Sequence, residues 1–327
     1  MDIALRCSGG STPAQCVELA VAAERAGFSS VWFAENPYGR GAWPAAAACA
    51  VATRRVRIGL GVFNPYQRHP TLMAMELAAF DELCEGRAVL GIGAGIPSRI
   101  RKIAPADRPL AAVRDAVTIT RRLLRGETVT YTGKVFSADG VRLLEVTPRR
   151  PDLPILTAAM SEHALRLCGE IADGVMISNL APPAFTRHAV RIVGDGAARA
   201  GRPAPREVIQ YVPCAIGEDG DEARRAARQT VTAMLTAYAA TASAATRAAM
   251  IDYSGLTPEE FADMIARVGR GEPLPDRLLA QYAIAGTADE CRAQAKAYAD
   301  AGVTELAIWP VGERGTEDIA MVGRALV

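Results

Sequence analysis

The chain has 327 residues, half of them hydrophobic, and 37 basic against 36 acidic side chains leave a formal charge of +1. With no basic block, nucleic acid is excluded as the main partner, and no apolar run reaches the roughly 20 residues that cross a bilayer. The seven cysteines, at 7, 16, 49, 84, 168, 214 and 291, form no C-x-x-C pair, so neither a metal clip nor a disulfide framework is expected. A cytoplasmic enzyme or binding protein, acting on a small molecule, fits these bounds.

Short apolar strands alternate with longer amphipathic helices almost to the end of the chain. "DIALR" precedes a helix from Pro13 to Ala26, closed by Gly27, and "SVWFA" leads through a loop to an alanine-rich helix ending near Thr53. "VRIGLGV" is followed by "NPYQRH" and a helix from Pro70 to Cys84, and "AVLGIGA" by a loop and a helix from Pro109 to Leu124. "PILTAA", "GVMIS" and "VIQYVPCAI" each feed a helix, beginning at Glu162, Pro183 and Asp221, and the last strand is "ELAIWP". Nearly all are two-sided apolar runs of the kind buried in parallel sheets.

Eight β-α units in this length predict an α/β fold, a (β/α)8 TIM barrel with its chemistry at the C-terminal ends of the strands. A doubly wound open sheet carries the same local signals. "VTYTGKVF", residues 129 to 136, reads as a hairpin inserted after the fourth helix. Residues 241 to 278 read as extra helices before the eighth strand. Neither insertion (about 127–147 and 241–278) is composed like a flexible linker, so a single domain over 1–327 is expected.

"GVFNPYQRHP" followed by "FDELCEGRAVLGIGAG" resembles the bacterial luciferase-like superfamily, and more narrowly its flavin- and deazaflavin-dependent oxidoreductases, the methylenetetrahydromethanopterin reductase branch among them. "AGFSSVWFAEN", "RLLRGETVTYTGKVF", "LRLCGEIADGV" and "IAGTADECRAQAKAYADAGV" agree, in the same order, over residues 1 to about 310. The resemblance implies a TIM barrel with a tricyclic cofactor at the strand C-termini, usually in a homodimer. It implies a non-proline cis peptide ending the third strand, here at or near Gly61–Val62, with Gly61 letting the backbone approach a flat ring. Asn64, Arg68 and His69 would line the rim beyond it. His69 is equally readable as a local cap, and Arg68 as the partner of a carboxylate such as Glu35.

Backbone amides at Met160, Ser161 and Glu162, just after Ala159, offer a phosphate site at the helix that follows "TAAM", although the glycine common there in the family is missing and Ser161 is equally readable as a plain N-cap. Gly93 and Ala94 form a small-residue strand end with room for a ring or tail, and Asn179 completes the expected cofactor set. "GIGAGIP" lacks the spacing of a dinucleotide fingerprint. "PSRIRK" is a solvated loop or a clamp for an anionic tail. Catalytic candidates are Glu35, His69 and Arg6, while Trp43 and Tyr66 either wall a substrate pocket or pack. Two departures matter: Arg6 stands where the reductases usually carry glutamate, and Asn36 where the sugar-phosphate dehydrogenases carry histidine.

The resemblance leads first to a coenzyme F420-dependent oxidoreductase moving a hydride to or from a small organic substrate. The second reading is a monooxygenase using oxygen and reduced FMN from a separate reductase. The third is a barrel that binds flavin without catalysis.

Overall fold

The computed structural model of the protein describes residues 1–312 and 314–327. The strands are β1 (Asp2–Cys7), β2 (Ser30–Phe33), β3 (Arg57–Phe63), β4 (Ala88–Ile92), β5 (Val129–Thr132), β6 (Ser137–Val141), β7 (Ile155–Ala158), β8 (Gly174–Ile177), β9 (Glu207–Ile216), β10 (Ile284–Gly286) and β11 (Glu305–Pro310). The helices are α1 (Pro13–Arg25), α2 (Ala42–Ala52), α3 (Pro70–Leu83), α4 (Pro97–Ile100), α5 (Pro109–Leu124), α6 (Glu162–Ile171), α7 (Pro183–Arg199), α8 (Gly220–Thr241), α9 (Ala244–Ile251), α10 (Pro258–Gly269), α11 (Asp276–Tyr282), α12 (Ala288–Asp300) and α13 (Thr316–Leu326).

Eight parallel strands pair in the order β1, β2, β3, β4, β7, β8, β9 and β11, and β11 pairs back onto β1 to close a (β/α)8 barrel. The open-sheet alternative is thereby excluded. Closure explains why the strands read as continuous apolar runs, since one face fills the barrel and the other meets helices. Ala4, Trp32, Val89, Leu156, Met176, Ile209, Tyr211 and Ala307 pack inside. Their strand neighbours Leu5, Val31, Ile58, Leu306 and Ile308 pack outward against the helices.

The N-terminal end of the barrel carries polar groups that pair with one another. Buried Glu305 accepts hydrogen bonds from Trp32 Nε1 (2.6 Å), Ser30 Oγ (2.8 Å) and Ser29 Oγ (3.0 Å), while Arg57 pairs with Glu207 at 2.6 Å. Three donors on Glu305 are the arrangement that makes burial of its carboxyl group tolerable.

The hairpin runs further than its sequence suggests. β6 begins after Phe136 and pairs antiparallel with β5, so 129–141 forms the hairpin and Lys134–Phe136 belongs to its turn. The extra helices expected in 241–278 are α9, α10 and the start of α11, packed against α8 through Leu235, Met250, Phe261, Leu278 and Tyr282. The short strand β10, which extends the end of β9, has only three residues and leaves no periodic signal. All seven cysteines are free and buried.

Candidate active site at the barrel mouth

Inward-facing side chains are fully buried along most of the barrel and become half-exposed at the C-terminal ends of the strands. Arg6 on β1, Ala34 after β2, Val62 on β3, Ala158 on β7, Ser178 after β8 and Trp309 on β11 make that half-exposed ring, above a buried floor of Trp32, Met176 and Tyr211. Small side chains on one side and aromatic rings on the other leave an open cup with a mostly apolar lining. This is where a TIM barrel places its chemistry.

The bulge on its wall comes from β3, where the Gly61–Val62 peptide bond is cis and the pairing with β4 shifts register between Gly61 and Phe63. Tyr211 reaches across the barrel and donates its hydroxyl to the Gly61 carbonyl at 3.0 Å. Gly61 lacks a Cβ for a reason other than ligand approach: a Cβ there would lie 2.4 Å from Met176 Cε and 3.1 Å from Trp32 Cε3. The side chain facing the cup is that of Val62, which touches Gly93 and Ala158. A Cβ on Gly93 would meet Val62 Cγ2 at 2.9 Å and Ala158 Cβ at 3.3 Å. Gly93 therefore makes room for Val62.

The corner after β3 is a framework of local bonds. Asn64 is buried, donates through Nδ2 to the Ala94 carbonyl and accepts through Oδ1 from the Tyr66 amide (2.8 Å), tying the β3 loop to the end of β4. Arg68 forks onto Glu35 (Nη2–Oε1 2.8 Å, Nε–Oε2 3.0 Å), pairs with Glu76 through Nη1 at 3.0 Å, and lies over the Phe63 ring. Glu76 also accepts from Trp43 Nε1 at 2.7 Å, and Trp43 packs edge-on against Phe63 and Phe80. Glu35, a catalytic candidate on its sequence position, is thus held in an ion-pair network behind the wall. Trp43 is a packing residue of the same network.

His69, the second catalytic candidate, is exposed and forms the N-cap of α3: Nδ1 accepts from the Thr71 amide at 3.3 Å and lies 2.8 Å from Thr71 Oγ1. Its ring edge meets Phe136 of the hairpin turn, as does that of Tyr66. Partial burial lowers its pKa, favouring the neutral ring that can accept at Nδ1. The geometry of His69 is that of a cap. Arg99, Arg101 and Lys102 are exposed, in the solvated arrangement.

On the far side of the cup, Ala159 and Met160 lead from β7 into α6. Ser161 is its N-cap and accepts from the Ala164 amide at 3.3 Å, leaving other first-turn amides without helical acceptors. Asn179, just past β8, is buried, and its Oδ1 has no partner among the described residues. A buried acceptor left unsatisfied costs free energy, and a ligand hydroxyl would relieve it. The half-exposed ring around Val62, an anion-accepting helix start and Asn179 all lie at the C-terminal ends of the strands, a set that suits a phosphate-bearing tricyclic cofactor.

Arg6, the third catalytic candidate, is in the cup. Its Cζ lies 5.2 Å from the Tyr211 ring centroid and 5.1 Å from that of Trp309, and its Nε is buried without a hydrogen-bond partner. Burial holds its pKa below the ordinary value, and the groups acting against that are the phenols of Tyr211 and Tyr238 and the Cys7 thiol. Tyr211 and Trp309 escape notice in the sequence because they sit within strands that read as uniform apolar runs. Only the closed barrel shows that both face the same interior as Arg6.

The pattern describing luciferase-like monooxygenases matches residues 3–305. The chain belongs to the luciferase-like monooxygenase family. This family chain is 28% identical over 315 residues to 5,10-methylenetetrahydromethanopterin reductase of Methanolobus tindarius, covering 93% of both proteins. It is 32% identical over 205 residues to the F420-dependent glucose-6-phosphate dehydrogenase of Nakamurella multipartita, covering 58% of this chain and 60% of the relative. The fold matches the coenzyme F420-dependent tetrahydromethanopterin reductase from Methanopyrus kandleri with a TM-score of 0.87, over 99% of this chain and 97% of that one, at 23% identity.

Proposed function

We propose that this luciferase-like enzyme is an oxidoreductase that binds coenzyme F420 in the barrel mouth and acts on a small organic substrate. The observation that carries the reading is the cup itself: a half-exposed ring of small residues beside Val62, completed by the α6 start and the orphaned Oδ1 of Asn179. Its relatives favour the deazaflavin, since several of the proteins similar to it are named as F420-dependent.

The deazaflavin supplies a two-electron hydride carrier when bound. Val62, backed by Gly93 and Ala158, supports the flat ring, and Ala94 leaves clearance beside it. The first-turn amides of α6, reached through Ala159, Met160 and Ser161, receive the phosphate. Asn179 accepts from a hydroxyl of the linker. Tyr211 fixes the bulge by holding the Gly61 carbonyl. The Glu35–Arg68–Glu76 network keeps the wall behind it rigid, so the residues orient the cofactor and shield one face from water.

Fluorescence titration with F420 and, separately, FMN tests this assignment. Saturable binding of F420 well below the concentration needed for FMN is expected. Tight binding of FMN alone would instead support a flavin monooxygenase, and binding of neither would remove the cofactor reading.

A further inference from the structure

A guanidinium lodged in a barrel ordinarily finds a carboxylate, because an unpaired buried charge is among the costliest groups a fold can carry. Arg6 has none among the described residues. Its neighbours are the faces of Tyr211 and Trp309, which attract a cation weakly and provide no acceptor for its in-plane N–H groups. Its Nε is left without an acceptor.

The placement adds direction. Arg6 faces inward on β1 one layer above Ala4, and register sets it beside Trp309 on β11 and Trp32 on β2. The Tyr211 ring against it is the one whose hydroxyl holds the Gly61 carbonyl. The uncompensated cation therefore lies next to the bulge, in the open cup, within reach of whatever occupies the space beside Val62. The contrast with Arg68 is informative: that guanidinium, a few residues from the same bulge, is fully engaged by two carboxylates.

We infer that Arg6 is a specificity-determining residue and that the substrate of this site carries a carboxylate, which the Arg6 fork receives between Tyr211 and Trp309. A planar guanidinium pairs in two-point fashion with a carboxylate, and the aromatic neighbours leave its edge as the donating surface. A neutral substrate of the same shape leaves the cation unpaired and is rejected on that ground. This rests on the proposed redox site, and deepens it by naming the class of substrate.

Calorimetric titration of the F420-loaded protein with crotonate, benzoate and glutarate, each against its neutral amide, tests the inference. At least one acid should bind saturably and about tenfold or more tightly than its amide, the gain of a charge-assisted pair over a neutral contact. Arg6→Gln should bring the acid down to the affinity of the amide, while Arg6→Lys, which keeps the charge and loses the fork, should retain part of the preference. Equal binding of acid and amide, saturable binding by no acid, or a preference that survives in folded Arg6→Gln would each overturn it. Should Arg6→Gln fail to fold, the wild-type and Arg6→Lys titrations still decide. Repeating the wild-type series without F420, alongside a direct F420 titration, separates the two proposals. Acid preference without F420 binding would sink the cofactor assignment alone, and F420 binding without acid preference would sink the role of Arg6 alone.

Discussion

Arg68 and His69 are adjacent in sequence and divide two structural tasks between them. Arg68 neutralises Glu35 and Glu76, so Arg68→Ala would leave two carboxylates facing each other in a half-buried pocket. We expect a loss of about 2–3 kcal/mol in urea unfolding, toward the lower end for breaking a buried pair because the site is partly solvated. Arg68→Lys should recover only part of it, since lysine cannot fork. His69→Ala should cost about 1 kcal/mol, as for other lost N-caps, and leave F420 affinity within about twofold of wild type. A drop of tenfold or more in that affinity would return His69 to the binding site. The cap also has a pH signature. Because the folded pKa of His69 lies below the ordinary value of 6.5, the cap contributes fully above that value and weakens as pH falls toward the folded pKa. In His69→Ala this acid-side loss should be absent from a stability–pH profile. A histidine beside an arginine and before a proline reads equally as cap or catalyst in sequence, because both uses need a strand-to-helix corner. Only the bond to the Thr71 amide separates them.

Between elements, the tightest contact is made without side chains. A Cβ on Gly169 of α6 would lie 2.0 Å from the Val193 carbonyl oxygen, and one on Gly196 of α7 would lie 2.2 Å from the Arg166 carbonyl oxygen. The two helices meet backbone to backbone, so the seat of α6 depends on α7. Gly196→Ala should therefore destabilise by about 3 kcal/mol, the upper range for overpacking a core, and should weaken F420 binding through the displaced helix. Thermal unfolding and the same fluorescence titration would check both effects; an unchanged melting temperature would refute the contact. On β9, Tyr211→Phe strands the Gly61 carbonyl and should cost about 1–3 kcal/mol, read by denaturant unfolding. These elements were legible in the sequence to different degrees. Helices with proline at the first position and apolar strands stood out, whereas β10 and the full reach of β6 did not, since three to five residues hold no useful periodicity.

Across the molecule, the barrel has a polar N-terminal end built around Glu305 and a C-terminal mouth that holds Arg6 and Asn179. Glu305 gathers three side-chain donors at one end, and Arg57 pairs there with Glu207 through Nη2 while its Nε, like Arg6 Nε and Asn179 Oδ1 at the other end, has no partner among the described residues. The position of the mouth follows from closure, which sequence periodicity implies but does not orient. Burial pushes the thiols of Cys49, Cys84, Cys168 and Cys291 up to about 12. They should resist a disulfide reagent in the native state at pH 8 and react once the protein is unfolded in guanidinium. Two concavities lie on the outer surface, about 830 Å³ between α1 and α13 and about 750 Å³ between α5, the hairpin and α6. They compete with the mouth as places for a flat ligand. A crystal structure of the protein with F420 discriminates most directly. The ring should lie in the cup against Val62, with the phosphate at the start of α6; a ring in either outer groove, or a mouth left empty beside bound F420, would contradict the account.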